Sequence, residues 1–350
     1  MKRFGCLRRS PIMALALIPV LVVACGGSGA SGTPSSQKQK DNLTVQMAYT
    51  WVSSQFYSIY LLGQQKGFYS KHGINVNFVE GTGSMTTAQL VANGKVEIAA
   101  EVDTGATLRA VSQGAQIKMV AATLPTNPLA VLSRGDNPID NPSQLVGKKI
   151  GIPPGTTQAQ IWPAFLKKNN LTNQQVTTVN IPATAVYQAL ANKQIDGYVS
   201  FSFSNIPILA GMGLNPHAML LSSYGMTYTP GEGVVVPDSL ISSNPGLIKR
   251  FLLATQEAFN YSMQHPAEAA KAGAALQPLT IKESNAESQV RAVAAQYKAF
   301  PPPKGKSLFY MTAQQWQSLE SLLVQYAGLT NPANLSDVYT NSLLPAGPNL

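Results

Sequence analysis

The sequence predicts an α/β protein made of two α/β units and completed by a helical carboxyl-terminal part. Three observations lead there. Short apolar strands alternate with helical periods over residues 43–122; the alternation resumes over 149–200 after a polar break, RGDNPIDNPS at 134–143; and long amphipathic helices take over beyond Pro245. At 350 residues and 45% hydrophobic, the chain can bury two such cores.

The first 25 residues stand outside that count. Lys2, Arg3, Arg8 and Arg9 precede an apolar run at 11–23 that is too short and one-sided to span a membrane and reads as an export signal. Its end, Val22-Val23-Ala24-Cys25, resembles the lipobox of bacterial lipoproteins, in which the cysteine is lipidated and becomes the new amino terminus. Arg8-Arg9 also matches the core of a twin-arginine signal, but its surroundings fit that poorly. Loss of residues 1–24 lowers the formal charge from +9 to +5, and no Lys/Arg cluster remains to suit nucleic acid. Cys6 would leave with the signal and Cys25 would carry lipid, so no disulfide or thiol ligand is expected. Residues 26–41, GGSGASGTPSSQKQKD, read as a flexible tether with a reach on the order of 20 Å.

The folded part begins with Leu43, Val45 and Met47 alternating as a half-buried strand. The period breaks in a ring-rich loop, so Trp51, Phe56 and Tyr57 stand at a strand's carboxyl end, where open α/β sheets bind ligands; each ring equally suits the core. A helix over 57–70 follows, stopped by His72-Gly73. Next come a strand at 74–79, the loop Gly81-Thr82-Gly83-Ser84, a helix to Asn93-Gly94, a strand at 96–100, a helix over 104–114 and a strand at 117–122. Residues 130–133 read as one more strand of the first unit, and the domain crossing is placed in the polar break that follows.

The second unit reads as strand 149–152, helix 158–168, strand 176–181, helix 183–192 and strand 195–200. Strands at 218–221 and 233–236 lead back toward the first unit. Helices at 247–264, 266–276, 283–297 and 313–326 buttress both units, and Val290, Val293, Ala294 and Tyr297 form a core stripe.

Catalytic and metal signatures are absent. His72, His217 and His265 are isolated beside Gly or Pro, and there is no nucleophile elbow, P-loop or complete dinucleotide fingerprint. No cofactor or metal is expected. Gly81 and Gly83 read instead as a turn that lets a helix amino terminus approach a ligand.

Several phrases, in order and spacing, resemble the solute-binding proteins of ABC importers, in the family of thiamine-pyrimidine-precursor, riboflavin, aliphatic sulfonate, taurine and nitrate receptors. They are Gly67-Phe68-Tyr69 with His72-Gly73-Ile74-Asn75-Val76; Asn93-Gly94-Lys95-Val96-Glu97; and Leu145-Val146-Gly147-Lys148-Lys149-Ile150-Gly151. Ala189-Leu190 with Ile195-Asp196-Gly197, and Asn244-Pro245 through Phe251, Ala254, His265-Pro266 and Glu268-Ala269-Ala270, complete the set. Glu97 stands where the family has aspartate, and Gln144 where it has an acidic residue.

The resemblance implies a two-lobed type II periplasmic-binding-protein fold, with residues 42–133 and 236–350 as lobe 1, 134–235 as lobe 2, and a ligand cleft between them. It also implies delivery of a small molecule to an ABC permease and its ATPase subunits; together with the lipobox, the expectation is a monomer lipid-anchored outside the cytoplasm through Cys25.

Among the cleft loops no arginine appears, which disfavours an anion. The candidates there are Trp51, Tyr57, Ser84, Glu101, Asp103, Thr156, Thr157, Ser202, Asn205, Tyr224, Tyr228 and Glu232. Rings with carboxylates suit a flat heteroaromatic bearing N–H groups. Glu101, Asp103, Thr156 and Thr157 read equally as helix caps.

Tyr224-Gly225-Met226-Thr227-Tyr228 with Glu232 is similar to the tyrosine pair and glutamate that hold the ring in pyrimidine-precursor receptors, though the spacing to Glu232 departs from theirs. The loop from Trp51 to Phe56 is nearer that of riboflavin-type receptors. Receptors for aliphatic sulfonate, taurine or nitrate are the alternative. A pyrimidine-synthase-like enzyme is more remote, because such enzymes of this fold need a cysteine-rich iron site.

Overall fold

The computed structural model describes residues 40–50, 56–126, 128–226, 231–277 and 282–347. The expected signal, Cys25, nearly all of the tether, Trp51 and Tyr228 lie outside them.

β1 (Asp41–Met47) buries Leu43, Val45 and Met47 on one face and leaves the alternate side chains outward, as its period of two requires. The helical run that follows is two helices, α1 (Tyr57–Gln65) and α2 (Phe68–Lys71), because Gly67 at φ +76° turns the chain left-handed between them. β2 (Ile74–Val79), α3 (Ser84–Ala92), β3 (Ile98–Asp103), α4 (Thr104–Ser112) and β4 (Ile117–Ala122) continue the alternation.

β5 (Leu129–Ser133), β6 (Lys149–Ile152), α5 (Thr157–Lys168), β7 (Thr177–Asn180), α6 (Val186–Ala191), β8 (Gly197–Phe201), α7 (Ser202–Gly211) and β9 (His217–Leu220) make the second unit. The chain returns in β10 (Glu232–Pro237) and ends in α8 (Asp238–Ser243), α9 (Pro245–Gln264), α10 (Pro266–Leu276), α11 (Glu283–Ala299), α12 (Ala313–Tyr326) and α13 (Leu335–Val338).

Two five-stranded sheets result, in orders β2-β1-β3-β10-β4 and β7-β6-β8-β5-β9. β1 runs parallel to β2 and β3, and β6 parallel to β7 and β8. In each sheet the fourth strand is antiparallel to its neighbours and has just arrived from the other sheet: β10 between β3 and β4, β5 between β8 and β9.

β5 therefore belongs to the second sheet, not to the first unit as its sequence position suggested, and the chain crosses before it. A wholly buried LAVLS run fits either sheet, and only pairing decides between them. The polar break lies inside the second unit, where buried Arg134 donates to the carbonyls of Leu190 (2.9 Å) and Ile195 (3.3 Å) and to Asp136 (2.9 Å).

The carboxyl-terminal helices span both units. α9, capped by Asn244 and opened by Pro245, packs Leu247, Ile248, Phe251, Leu252, Ala258 and Phe259 inward over α1 and α2. α11 packs on α7, and α12 on α4 and α5.

Candidate functional site

The loops at the carboxyl ends of the parallel strands meet where the two sheets adjoin. The β1 and β2 loops are laced together by Gly81 N donating to Tyr49 O (2.9 Å) and Gly83 N to Ala48 O (2.7 Å). A Cβ on Gly81 would stand 2.1 Å from the Met47 carbonyl oxygen, so only glycine lets these loops touch. Gly81→Ala is expected to cost about 1–3 kcal/mol in a urea titration. Gly83, at φ +142°, brings the start of α3 against the turn before α5: its Cβ would lie 3.0 Å from Gly155 O. The turns that lead into α3 and α5 thus lie against one another at the junction.

Ser84 opens α3 fully buried. Its Oγ accepts from Asp103 N (3.0 Å) and donates to the Tyr49 hydroxyl (3.0 Å). Asp103 caps α4 through Gly105 N (2.6 Å) and sits opposite Glu232 in the β3–β10 register. The Tyr49 hydroxyl hydrogen-bonds to Glu232 as well, and burial first, then the charges of Glu232 and Asp103, raise its pKa well above the ordinary value; it stays a neutral donor. The Tyr49 ring meets Phe201 of the second sheet edge-on, centroids 6.3 Å apart. Tyr57 donates to the Tyr49 carbonyl.

Glu101 lies deeper, with no exposed surface. It accepts from Tyr60 (2.5 Å) and Thr123 (3.1 Å) and contacts the Glu232 carboxyl. Burial pushes its pKa up to about 8, against those hydrogen bonds, which lower it.

Of the residues expected from sequence, the structure gathers Tyr57, Ser84, Glu101, Asp103 and Glu232 around Tyr49. Thr156, across the junction, caps α5 through Ala159 N (3.4 Å) and donates to Pro153 O (2.6 Å). Thr157 begins α5, its side chain lying outside the described part. Ser202 opens α7 beside Phe201. Asn205 braces α7 against its own sheet, accepting from the Tyr187 and Tyr198 hydroxyls (both 2.9 Å) and donating to Phe201 O (2.9 Å). Tyr224 sits in a 3₁₀ turn, Leu221–Tyr224, its hydroxyl donating to Asp140 O (2.8 Å) rather than toward Tyr49.

Sequence reading missed Tyr49, Phe201 and Thr123. Tyr49 was detectable as the residue two past the first strand's end, whereas Phe201 and Thr123 join the group only through strand pairing.

The four described arginines are all engaged elsewhere: Arg109 with Gln160 and Ala327 O, Arg134 within the second unit, Arg250 with Asp41, and Arg291 with Glu287. Among the described residues no group of His, Cys, Asp and Glu could hold a metal ion.

Comparison with known proteins bears on this arrangement. The chain is 24% identical to the riboflavin-binding protein RibY of Chloroflexus aurantiacus, over 95% of this chain and 96% of that one. It is 23% identical to the 4-amino-5-hydroxymethyl-2-methylpyrimidine phosphate synthase of Legionella pneumophila, over 64% and 71% of the two chains. In fold it matches the alkanesulfonate-binding protein SsuA of Xanthomonas axonopodis pv. citri, solved bound to MOPS, with a TM-score of 0.65 at 12% identity over 86% of this chain and 99% of that one. The two sheets with exchanged fourth strands are thus the periplasmic-binding-protein fold. The NMT1/THI5-like family model matches residues 54–269, and the chain belongs to that family.

Proposed function

We propose that the protein is the extracytoplasmic solute-binding receptor of an ABC importer, holding a small flat nitrogen heterocycle between its two sheets and releasing it to the permease. A thiamine pyrimidine precursor or a riboflavin-like ring is the class of ligand. One observation carries this reading: the wall formed by Tyr49, Ser84, Asp103 and Glu232 is acidic, ring-bearing and without a described arginine. Such a wall accepts ligand N–H groups, stacks on a flat face and repels an anion. Full-length similarity to a riboflavin-binding protein supports it.

The rival ligand, a sulfonate, taurine or nitrate, draws on the neighbouring amino termini of α3 and α5, where backbone N–H groups suit an oxyanion. Among the described residues the wall beside them carries negative charge.

Catalysis is not part of the proposal, despite the synthase among the relatives. The chain's two cysteines, Cys6 and Cys25, both precede the described residues, which hold no thiol for a cysteine-based iron site. The remaining elements of the proposal are export by the amino-terminal signal, lipid on Cys25 as the membrane anchor, and a monomer in two lobes that meet at the crossings near Thr123 and Glu232.

A thermal-shift panel tests the ligand class with riboflavin, 4-amino-5-hydroxymethyl-2-methylpyrimidine, taurine, an alkyl sulfonate and nitrate. A ligand at about 100 times its dissociation constant adds about 2.7 kcal/mol, a rise of several degrees. The heterocycles should produce that rise; a rise with anions alone would reject the reading.

A further inference from the structure

Glu101 is placed for a role that ligand contact does not explain. It holds φ +60° within β3, in the left-handed region that a side-chain-bearing residue adopts only when its surroundings impose it. Its carboxyl meets the pair of chain crossings between the sheets. Thr123 is the first residue after β4 on the outward crossing, and Glu232 the first of β10 on the return. The two crossings lie side by side: Thr123 N and Leu124 N donate to Glu232 O (2.9 and 3.2 Å), and Gly231 N donates to Leu124 O (3.1 Å). Tyr297 of α11 holds the outward crossing from the other side, donating to Thr123 O (2.7 Å).

The Glu101 carboxyl reaches both crossings at once, through the Thr123 hydroxyl (3.1 and 3.2 Å) and the carboxyl of Glu232. Two ionised carboxylates have no donor to offer one another, so a hydrogen bond between them requires a proton on one. The titratable groups around this pair are Asp103, opposite Glu232 in the β3–β10 register, Tyr57 and Tyr60 of α1, Tyr69 of α2, Tyr297 of α11, and Tyr49 beyond β1. All are acids, and none can balance a second negative charge.

We propose that Glu101 and Glu232 share one proton and act as a clamp across both crossings, so that the freedom of the two units to move against each other depends on pH. The clamp needs no ligand to form, although its Glu232 also belongs to the proposed cleft wall, so its test is made on the protein without added ligand. Its sign follows from the raised pKa: the folded pair keeps a proton up to about 8, whereas an exposed glutamate loses it near 4.5. Over that window the folded, clamped state binds more protons than the open one. The clamp is tightest in acid, weakens as pH rises toward about 8, and changes little beyond.

Glu101→Gln in the intact chain, compared with wild type, tests this, because the amide retains hydrogen-bonding capacity and cannot ionise. Amide exchange at Thr123, Leu124 and Gly231, corrected for intrinsic rates, should accelerate by up to about tenfold per pH unit between about pH 5 and 8 in wild type. In the variant that acceleration should be lost, along with the accompanying fall in thermal midpoint. Parallel profiles in the two proteins would overturn the proposal. If the variant does not fold, infrared spectroscopy of wild type decides: a protonated-carboxyl band present near neutral pH and lost by about pH 9.5 supports the clamp, and its absence at neutral pH rejects it.

Discussion

Phe259→Ala should lower stability by about 3–5 kcal/mol, a large share of the roughly 5–15 kcal/mol that holds a domain together. Phe259 has no exposed surface and is the centre of a ring cluster: Phe309 at 5.1 Å, Phe56 and Tyr60 each at 5.7 Å, and Tyr297 at 6.4 Å. These rings come from four parts of the chain: the approach to α1, α1 itself, α11, and the segment before α12. Two of them carry the hydroxyls that hold Glu101 and Thr123, so the cavity left by alanine opens beneath the site as well as in the core. A urea titration should show a lower midpoint, with Phe259→Leu recovering much of the loss. A cost under about 1 kcal/mol would mean that the cluster does not frame the site.

The second large effect is on binding. Tyr49→Ala should weaken heterocycle affinity by about 100-fold or more, or about 2.7 kcal/mol. The substitution removes a half-buried ring that touches Phe201 of the opposite sheet and a hydroxyl that links Ser84 to Glu232. Tyr49→Phe separates the two contributions. If stacking dominates, it should keep most of the affinity, and equal losses in both variants would assign the effect to the hydroxyl. Fluorescence or calorimetric titration at constant pH measures the difference. Unchanged affinity in Tyr49→Ala would take this residue out of the cleft wall.

Much of the fold was legible because it is written locally. β2, β4, β6, α10 and α12 fall where period, caps and turn residues put them. The split between α1 and α2 turned on one left-handed glycine, Gly67, within an otherwise continuous helical period. The sheet to which β5 belongs was not legible, since a buried strand's sequence states that it is buried, not beside whom. The partners of charged side chains were not legible for a related reason. Arg250 ties the carbonyls of His72 and Gly73 and the carboxylate of Asp41 to α9, although these residues lie far from it in sequence. The candidate site was half visible: Ser84, Asp103 and Glu232 stand at strand ends and helix starts, where position alone marks them. Glu101's left-handed backbone and its reach to Thr123 depend on contacts far apart in sequence.

The most direct test of the central claim is calorimetric titration of the purified protein with riboflavin and with 4-amino-5-hydroxymethyl-2-methylpyrimidine, set against taurine and nitrate. The account predicts saturable one-to-one binding of a heterocycle, a negative heat-capacity change from the apolar surface buried, and ligand recovered unchanged. Saturable binding of an anion with none of either heterocycle, or consumption of the added compound, would contradict it.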